Sequence, residues 1–156
     1  MTAIVRGVEF SVPQRTSNVL YDILECVNDK QFNWYNTIGQ DEIYLEHMGR
    51  LLFDKDFYKG EDFYQLIQKD HYVIFLKLQA YCKNGIFSEV HTYNEFEESD
   101  CQLLLLIYDS KWFEIYAKDK TLVQALYEKA ASLGYSDIHY KTDDNDHRTK
   151  MDVIGY

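Results

Sequence analysis

The sequence predicts an α+β fold, a mixed or antiparallel sheet with helices on one side. Three stretches carry that prediction. His71–Tyr81 alternates as a long strand, and Cys101–Tyr108 is an apolar run with a second strand-like segment directly after it. Residues 119–134 place apolar side chains at helical spacing.

In chain order, residues 3–12 set Ile4, Arg6, Val8, Phe10 and Val12 against their neighbours until Pro13 stops the run, as a strand does. Ser17 is the expected N-cap of a helix through Val27, with Val19, Leu20, Ile23, Leu24 and Val27 as its apolar face. Phe32–Ile38 reads as a strand, Gly39-Gln40-Asp41 as a turn and Glu42–Glu46 as the returning strand. A loop at 54–60 and a short helix at 62–68 follow.

Within His71–Tyr81, Ile74, Leu76, Leu78 and Ala80 form a wholly apolar face that is expected to point at the core; Val73, Phe75, Lys77, Gln79 and Tyr81 form the other. Thr92 with Glu95 is a capping-box pattern for a brief helix ending near Glu98. Cys101–Tyr108 reads as a strand buried on both sides, joined by Asp109-Ser110-Lys111 to its hairpin partner Trp112–Ala117. Asp119 or Thr121 opens the clearest helix, with Leu122, Val123, Leu126, Tyr127, Ala130 and Leu133 inward and Gly134 at its close. Ser136–Thr142 and Met151–Ile154 read as two short strands around an acidic loop.

The order from His71 to Thr142 is therefore β-α-β-β-α-β, the ferredoxin-like order. The first half reads β-α-β-β-α, and Glu42-Ile43-Tyr44 echoes Glu114-Ile115-Tyr116. The expectation is one compact domain over 1–156, built as a pseudo-repeat of 3–69 and 71–142.

Composition limits the function. The hydrophobic fraction of 46% and aromatic fraction of 16% are those of a chain with a packed core. A net charge of −10 disfavours nucleic acid and anionic membrane surfaces, both of which need clustered Lys and Arg. It leaves a basic protein partner open. No apolar run is long enough for a signal-peptide core or a bilayer span, and the longest is Leu103–Tyr108. Three cysteines without a CxxC predict buried thiols in a reducing cytoplasm.

Motif chemistry is absent from the sequence. Counted from Asp143, the loop Asp143-Asp144-Asn145-Asp146-His147 puts Arg148 and Ile154 where a calcium-binding EF-hand needs Gly and Glu. No histidine pair has zinc spacing, and His139 reads as a satisfied structural residue on a strand. There is no G-x-S-x-G, G-x-G-x-x-G or P-loop. No catalytic residue, metal ligand or cofactor is therefore assigned.

Two segments stand out. From Glu89 to Asp100 the chain carries Glu89, Glu95, Glu97, Glu98 and Asp100 with Tyr93 and Phe96 and without Lys or Arg. Such a run is ordinarily a solvated helix face; the sharper reading is a docking surface with aromatic anchors in an acidic rim. The other is Trp34-Tyr35-Asn36, where core packing accounts for Trp34, and Tyr35 and Asn36 are suited to line a ligand groove.

Phe32-Asn33-Trp34-Tyr35, Glu98–Leu103, Asp109–Asp119 and Thr142–Thr149 resemble a Bacillus-type Firmicutes family of about this length, catalogued only as a domain of unknown function. The resemblance implies a bacterial cytoplasmic setting and no mechanism. The favoured expectation is a non-enzymatic interaction module, of the inhibitor or immunity type, for a basic protein partner. The alternative is a small-molecule sensor with its pocket between two ferredoxin-like halves, near Trp34 and Tyr35. An enzyme using carboxylates and a divalent cation at Asp143–Asp146 comes third.

Overall fold

A computed structural model describes residues 3–30, 32–37 and 39–153. Its elements are β1 (Val5–Ser11), α1 (Val19–Leu24), β2 (Asn33–Asn36), β3 (Glu42–Leu45), β4 (Phe57–Tyr58), α2 (Gly60–Ile67), β5 (His71–Tyr81), α3 (Tyr93–Glu98), β6 (Cys101–Tyr108), β7 (Trp112–Ala117), α4 (Lys120–Ser132) and β8 (Ser136–Thr142). A 3₁₀ turn, Glu25–Lys30, prolongs α1. The α+β class holds, with an open, all-antiparallel sheet in the order β4-β2-β5-β6-β7-β1-β8 and β3 paired to β5.

One face of the sheet is the apolar core. Val8 and Phe10 of β1, Leu103, Leu105 and Ile107 of β6 and Phe113 and Ile115 of β7 meet the buried sides of α1, α2 and α4. Trp34 lies in this layer, stacked 4.4 Å from Phe63 of α2. Asp119 caps α4 by accepting from Thr121 N at 2.9 Å, and Gly134 follows it at φ 76°, where a Cβ would be strained.

Topology corrects the two-half expectation. A ferredoxin-like unit joins its first two strands by a crossover that leaves them parallel and apart. Here β5 and β6 are antiparallel neighbours. The six residues of α3 rise only about 9 Å, too little to run back along the eight-residue β6. The strand that opens the first half, β1, is inserted between β7 and β8 of the second.

Local readings shift as well. In β5, Glu42 faces Phe75 but Ile43 faces Val73, so Ile74 is an extra residue and the side chains change face there. Val73 therefore joins Leu76, Leu78 and Ala80 in the core, and Ile74 is left half-buried outside it. Asn18, at φ 60°, rather than Ser17 stands at the N-cap of α1. Residues 151–153 are not a strand but a strap with Met151 and Val153 buried, and Ile154 of that expected strand lies outside the described residues, as does Ile38. Of the three free thiols only Cys101 is buried, Cys82 being exposed. His139 is exposed rather than enclosed, on the last strand of the sheet.

Candidate functional site

The second face of the sheet is unlike the first. Alternation aligns Lys77, Leu106, Glu114, Glu9 and His139 as one row of neighbours across β5, β6, β7, β1 and β8. The next row runs Phe57, Tyr35, Gln79, Leu104, Tyr116, Gly7 and Lys141. Gly7 leaves a gap that the backbone fills, since a Cβ there would meet Ile115 O at 2.0 Å. Over these rows lie α3, the extended segment 86–91 and the strap that ends at Val153, all packed on a small apolar cluster around Tyr81, Leu104, Leu106 and Tyr116.

Charges are buried between sheet and strap. Lys141 Nζ stands 2.5 Å from Glu114 and 3.2 Å from Asp146. Arg148 of the strap reaches Glu114 at 2.7 Å, and Tyr116 donates to Asp146 at 3.0 Å. Arg6 pairs with Asp146 at 3.4 Å while its guanidinium lies 4.1 Å above the Tyr93 ring. Burial by itself raises the Glu114 carboxyl, but Lys141 and Arg148 outweigh it and hold the group below its ordinary range. Burial lowers the Lys141 ammonium, and Glu114, Asp146 and Glu9 more than reverse that.

A second cluster latches the strap to β5. Lys77 Nζ lies 2.8 Å from Asp152 and 2.9 Å from Glu89, and donates to Val90 O. His91 adds a contact to Asp152 at 3.3 Å. Beside it Asp41 accepts from Thr37 N at 2.8 Å and Lys77 N at 3.3 Å, and burial pushes its carboxyl up to about 7. Glu89, His91 and Asp152 are close enough together to ligate one metal ion. The Lys77 ammonium already supplies the cation between the two carboxylates, so the donor set suits a salt bridge better than a metal.

The acidic loop also has a structural use. Asp143 accepts from Ile4 N at 2.8 Å, and Asn145 accepts from Thr142 N at 2.8 Å and donates to Tyr140 O at 3.0 Å. Asn145 thus covers the end of β8, where backbone groups would otherwise be open to a second strand. Asp146 is turned inward to Tyr116 and Lys141.

The sequence-predicted residues separate by role. Glu95, Glu97, Glu98 and Asp100 are exposed, whereas Glu89 is tied to Lys77. Phe96 is buried as the anchor of α3, and Tyr93 is half-buried under Arg6, so neither is the surface aromatic that the sequence suggested. That position falls to Ile86 and Phe87, 77% and 39% exposed, with Ile86 N donating to Asp100 at 2.9 Å. No periodicity marks these two, because segment 86–91 has no regular structure. Trp34 and Tyr35 point to opposite faces, Trp34 into the core and Tyr35 onto Phe87 at 4.3 Å. The structure does not bring them to one groove. Asn36 is buried and donates to Lys55 O at 2.8 Å; its Oδ1 and Trp34 Nε1 are without a hydrogen-bond partner among the described residues.

Fold and site together define an α+β protein with one apolar sheet face and one charged face held by a strap. The chain belongs to the family described as "Protein of unknown function (DUF2691)", which matches residues 5–152. It is similar to "Uncharacterized protein YncE" of Bacillus subtilis (strain 168), at 34% identity over 152 residues, covering 95% of this chain and 99% of the relative. That relative supports a bacterial origin. No solved structure matches the chain. No helix among the described residues is long and apolar enough to cross a membrane.

Proposed function

We propose that the protein is a non-enzymatic interaction module that docks a basic protein partner on the surface formed by α3 and residues 86–87. The observation that carries this reading is that the exposed Ile86 and Phe87 meet Asp100, through the Ile86 N bond, at the end of an α3 that exposes Glu95, Glu97 and Glu98, with Lys118 as the cation packed on that helix, over Phe96 and bonded to Ser99 O. Apolar anchors inside a charged rim are the usual anatomy of an interface, and the negative charge adds steering. The buried charges of the same face are saturated by protein partners, which suits a scaffold better than an acid–base site. A cytoplasmic setting belongs to this proposal.

Affinity capture from a lysate of a Bacillus host, beside the variant Glu95→Lys/Glu97→Lys/Glu98→Lys, tests it. One stoichiometric basic protein, released by salt and absent from the variant, is expected. Equal capture by the variant contradicts this surface.

A small-molecule sensor is the second reading. Its observation is a cavity of about 640 Å³ at the start of α2, lined by Asn33, Lys59, Glu61, Tyr64 and Lys83, within the size range of ligand sites. Ligand binding to the native state must raise the melting temperature. A metabolite panel that leaves it unmoved removes this reading.

A further inference from the structure

The charged face has an end near Trp112 where, on the strap side, Arg148 reaches Glu114 and lies over the Tyr108 ring. There Trp112 of β7, 38% exposed, and Tyr108 of β6 stand as directly paired neighbours. Beneath and beside them a cleft of about 140 Å³ is lined by Glu9, Glu114, Asp137 and His139 as well as the two rings. The row described above explains the floor, since His139, Glu9 and Glu114 are consecutive neighbours across β8, β1 and β7. A bulge in β8 shapes the rim: the pairing shifts between Glu9 and Ser11, and Asp137 there takes φ 54°.

From this geometry we infer a binding site for one cationic side chain, an arginine of a basic protein segment, seated against Trp112 and Tyr108 with Glu9 and Asp137 as its counter-charges. The inference shares with the proposed function the idea of a basic partner, but places this contact apart from α3.

Three features select the occupant. Size comes first: at about 140 Å³ the cleft is well below the roughly 300–1,000 Å³ of metabolite pockets, and so suits one side chain. Charge is second. Glu114 is compensated by Lys141 and Arg148, at 2.5 and 2.7 Å. Among the described residues, Glu9 has one ionic contact, to Lys141 at 3.5 Å, with its side chain 43% exposed, and Asp137 accepts from the neutral Ser11 hydroxyl at 3.2 Å. An incoming cation therefore meets two carboxylates that lack a close ionic partner among the described residues. Shape is third. A guanidinium is planar, stacks on aromatic rings and presents a fork of donors to carboxylates, which an ammonium does not. Each ring already carries one of the protein's own cations, Lys111 Nζ 4.9 Å from the Trp112 ring centre and the Arg148 guanidinium 5.5 Å from that of Tyr108, so the incoming guanidinium packs on Trp112 beside Lys111 and is held by Glu9 and Asp137.

The test is titration of the full chain with N-acetyl-arginine amide, followed by NMR at the two tryptophan indole N–H signals. The citrulline analogue, which keeps the shape and removes the charge, is the control. A saturable shift of the Trp112 signal is expected, with the buried Trp34 signal still. In Glu9→Gln/Asp137→Asn, where Asn tolerates the left-handed backbone, binding should weaken by roughly tenfold or more, as for loss of a charge-assisted contact. The Glu95/Glu97/Glu98 reversal should bind the amide as the natural chain does, so failure of the α3 surface and failure of this cleft are read separately. Equal binding of citrulline amide, absence of a saturable Trp112 shift, or unchanged affinity in the folded double variant overturns the inference.

Discussion

The two faces of one sheet are built on different physics. The helix-covered face is apolar from Val8 to Ala130 and closes on stacked rings such as Trp34 on Phe63. The opposite face buries Lys77, Glu114, Lys141 and Asp146 and is closed by a strap without regular structure. Apolar burial is non-directional and sums over area, so the first face supplies most of the stability. Buried ions gain little net stability but fix geometry, because each must find its partner. The second face is thus the one whose precise arrangement a function would use, and it carries the exposed acidic rim and the Trp112 cleft.

Substitutions sharpen this contrast. The largest loss is expected for Trp34→Ala, about 3–5 kcal/mol in urea denaturation, from a cavity in a closed apolar layer. Lys141→Met should come next, at about 3 kcal/mol, because it removes the cation shared by Glu114 and Asp146, leaving Glu114 to Arg148 and Asp146 to Tyr116 and the longer Arg6 contact, in a site where the three side chains are under a tenth exposed. Replacing Glu114, Lys141 and Arg148 together by apolar residues should restore much of that. A triple variant no more stable than Lys141→Met breaks the comparison.

The pH dependence of stability provides a smaller effect. His71 is fully buried, accepts from Leu20 N at 3.3 Å through Nε2, and donates from Nδ1 to Lys69 O at 2.7 Å. Burial depresses its folded-state value, against the pull of the Lys69 carbonyl and of Asp22, Glu46 and Asp70. Its contribution is therefore present above the unfolded value near 6.5 and is lost as pH falls through the lower folded value. Asp41, raised to about 7, acts in the opposite sense: its contribution is present at low pH and lost as pH rises through that value. The difference between the natural chain and His71→Asn in denaturation at neutral and mildly acidic pH isolates the first term. A variant that loses the same stability on acidification contradicts it.

Two last substitutions concern α3. Thr92 accepts from Glu95 N at 3.1 Å, so Thr92→Ala should cost about 1 kcal/mol. Charge reversal at the exposed Glu95, Glu97 and Glu98 should each change stability by no more than about 0.5 kcal/mol, measured by the same unfolding curves.

Local chemistry was legible in the sequence where it acts locally. The β6–β7 hairpin, the Asp119 cap of α4 and the Thr92 cap of α3 follow from turn and cap residues. Pairing of β1 between β7 and β8 joins residues more than a hundred positions apart, and no periodicity encodes it. Ile74 shows the limit of alternation, since one bulged residue moved the core face to Val73. At the candidate site the acidic residues of α3 were legible by composition. Ile86, Phe87 and the strap were not, because irregular segments leave no repeat to read. The Trp112 cleft needed three strands in register before Glu9, Glu114 and His139 became neighbours.

The most direct test of the account is hydrogen exchange of the protein with and without its captured partner. The account predicts slowed exchange over residues 86–100 and unchanged exchange in α1, α2 and α4. Protection of those helices, with residues 86–100 unaffected, would contradict it.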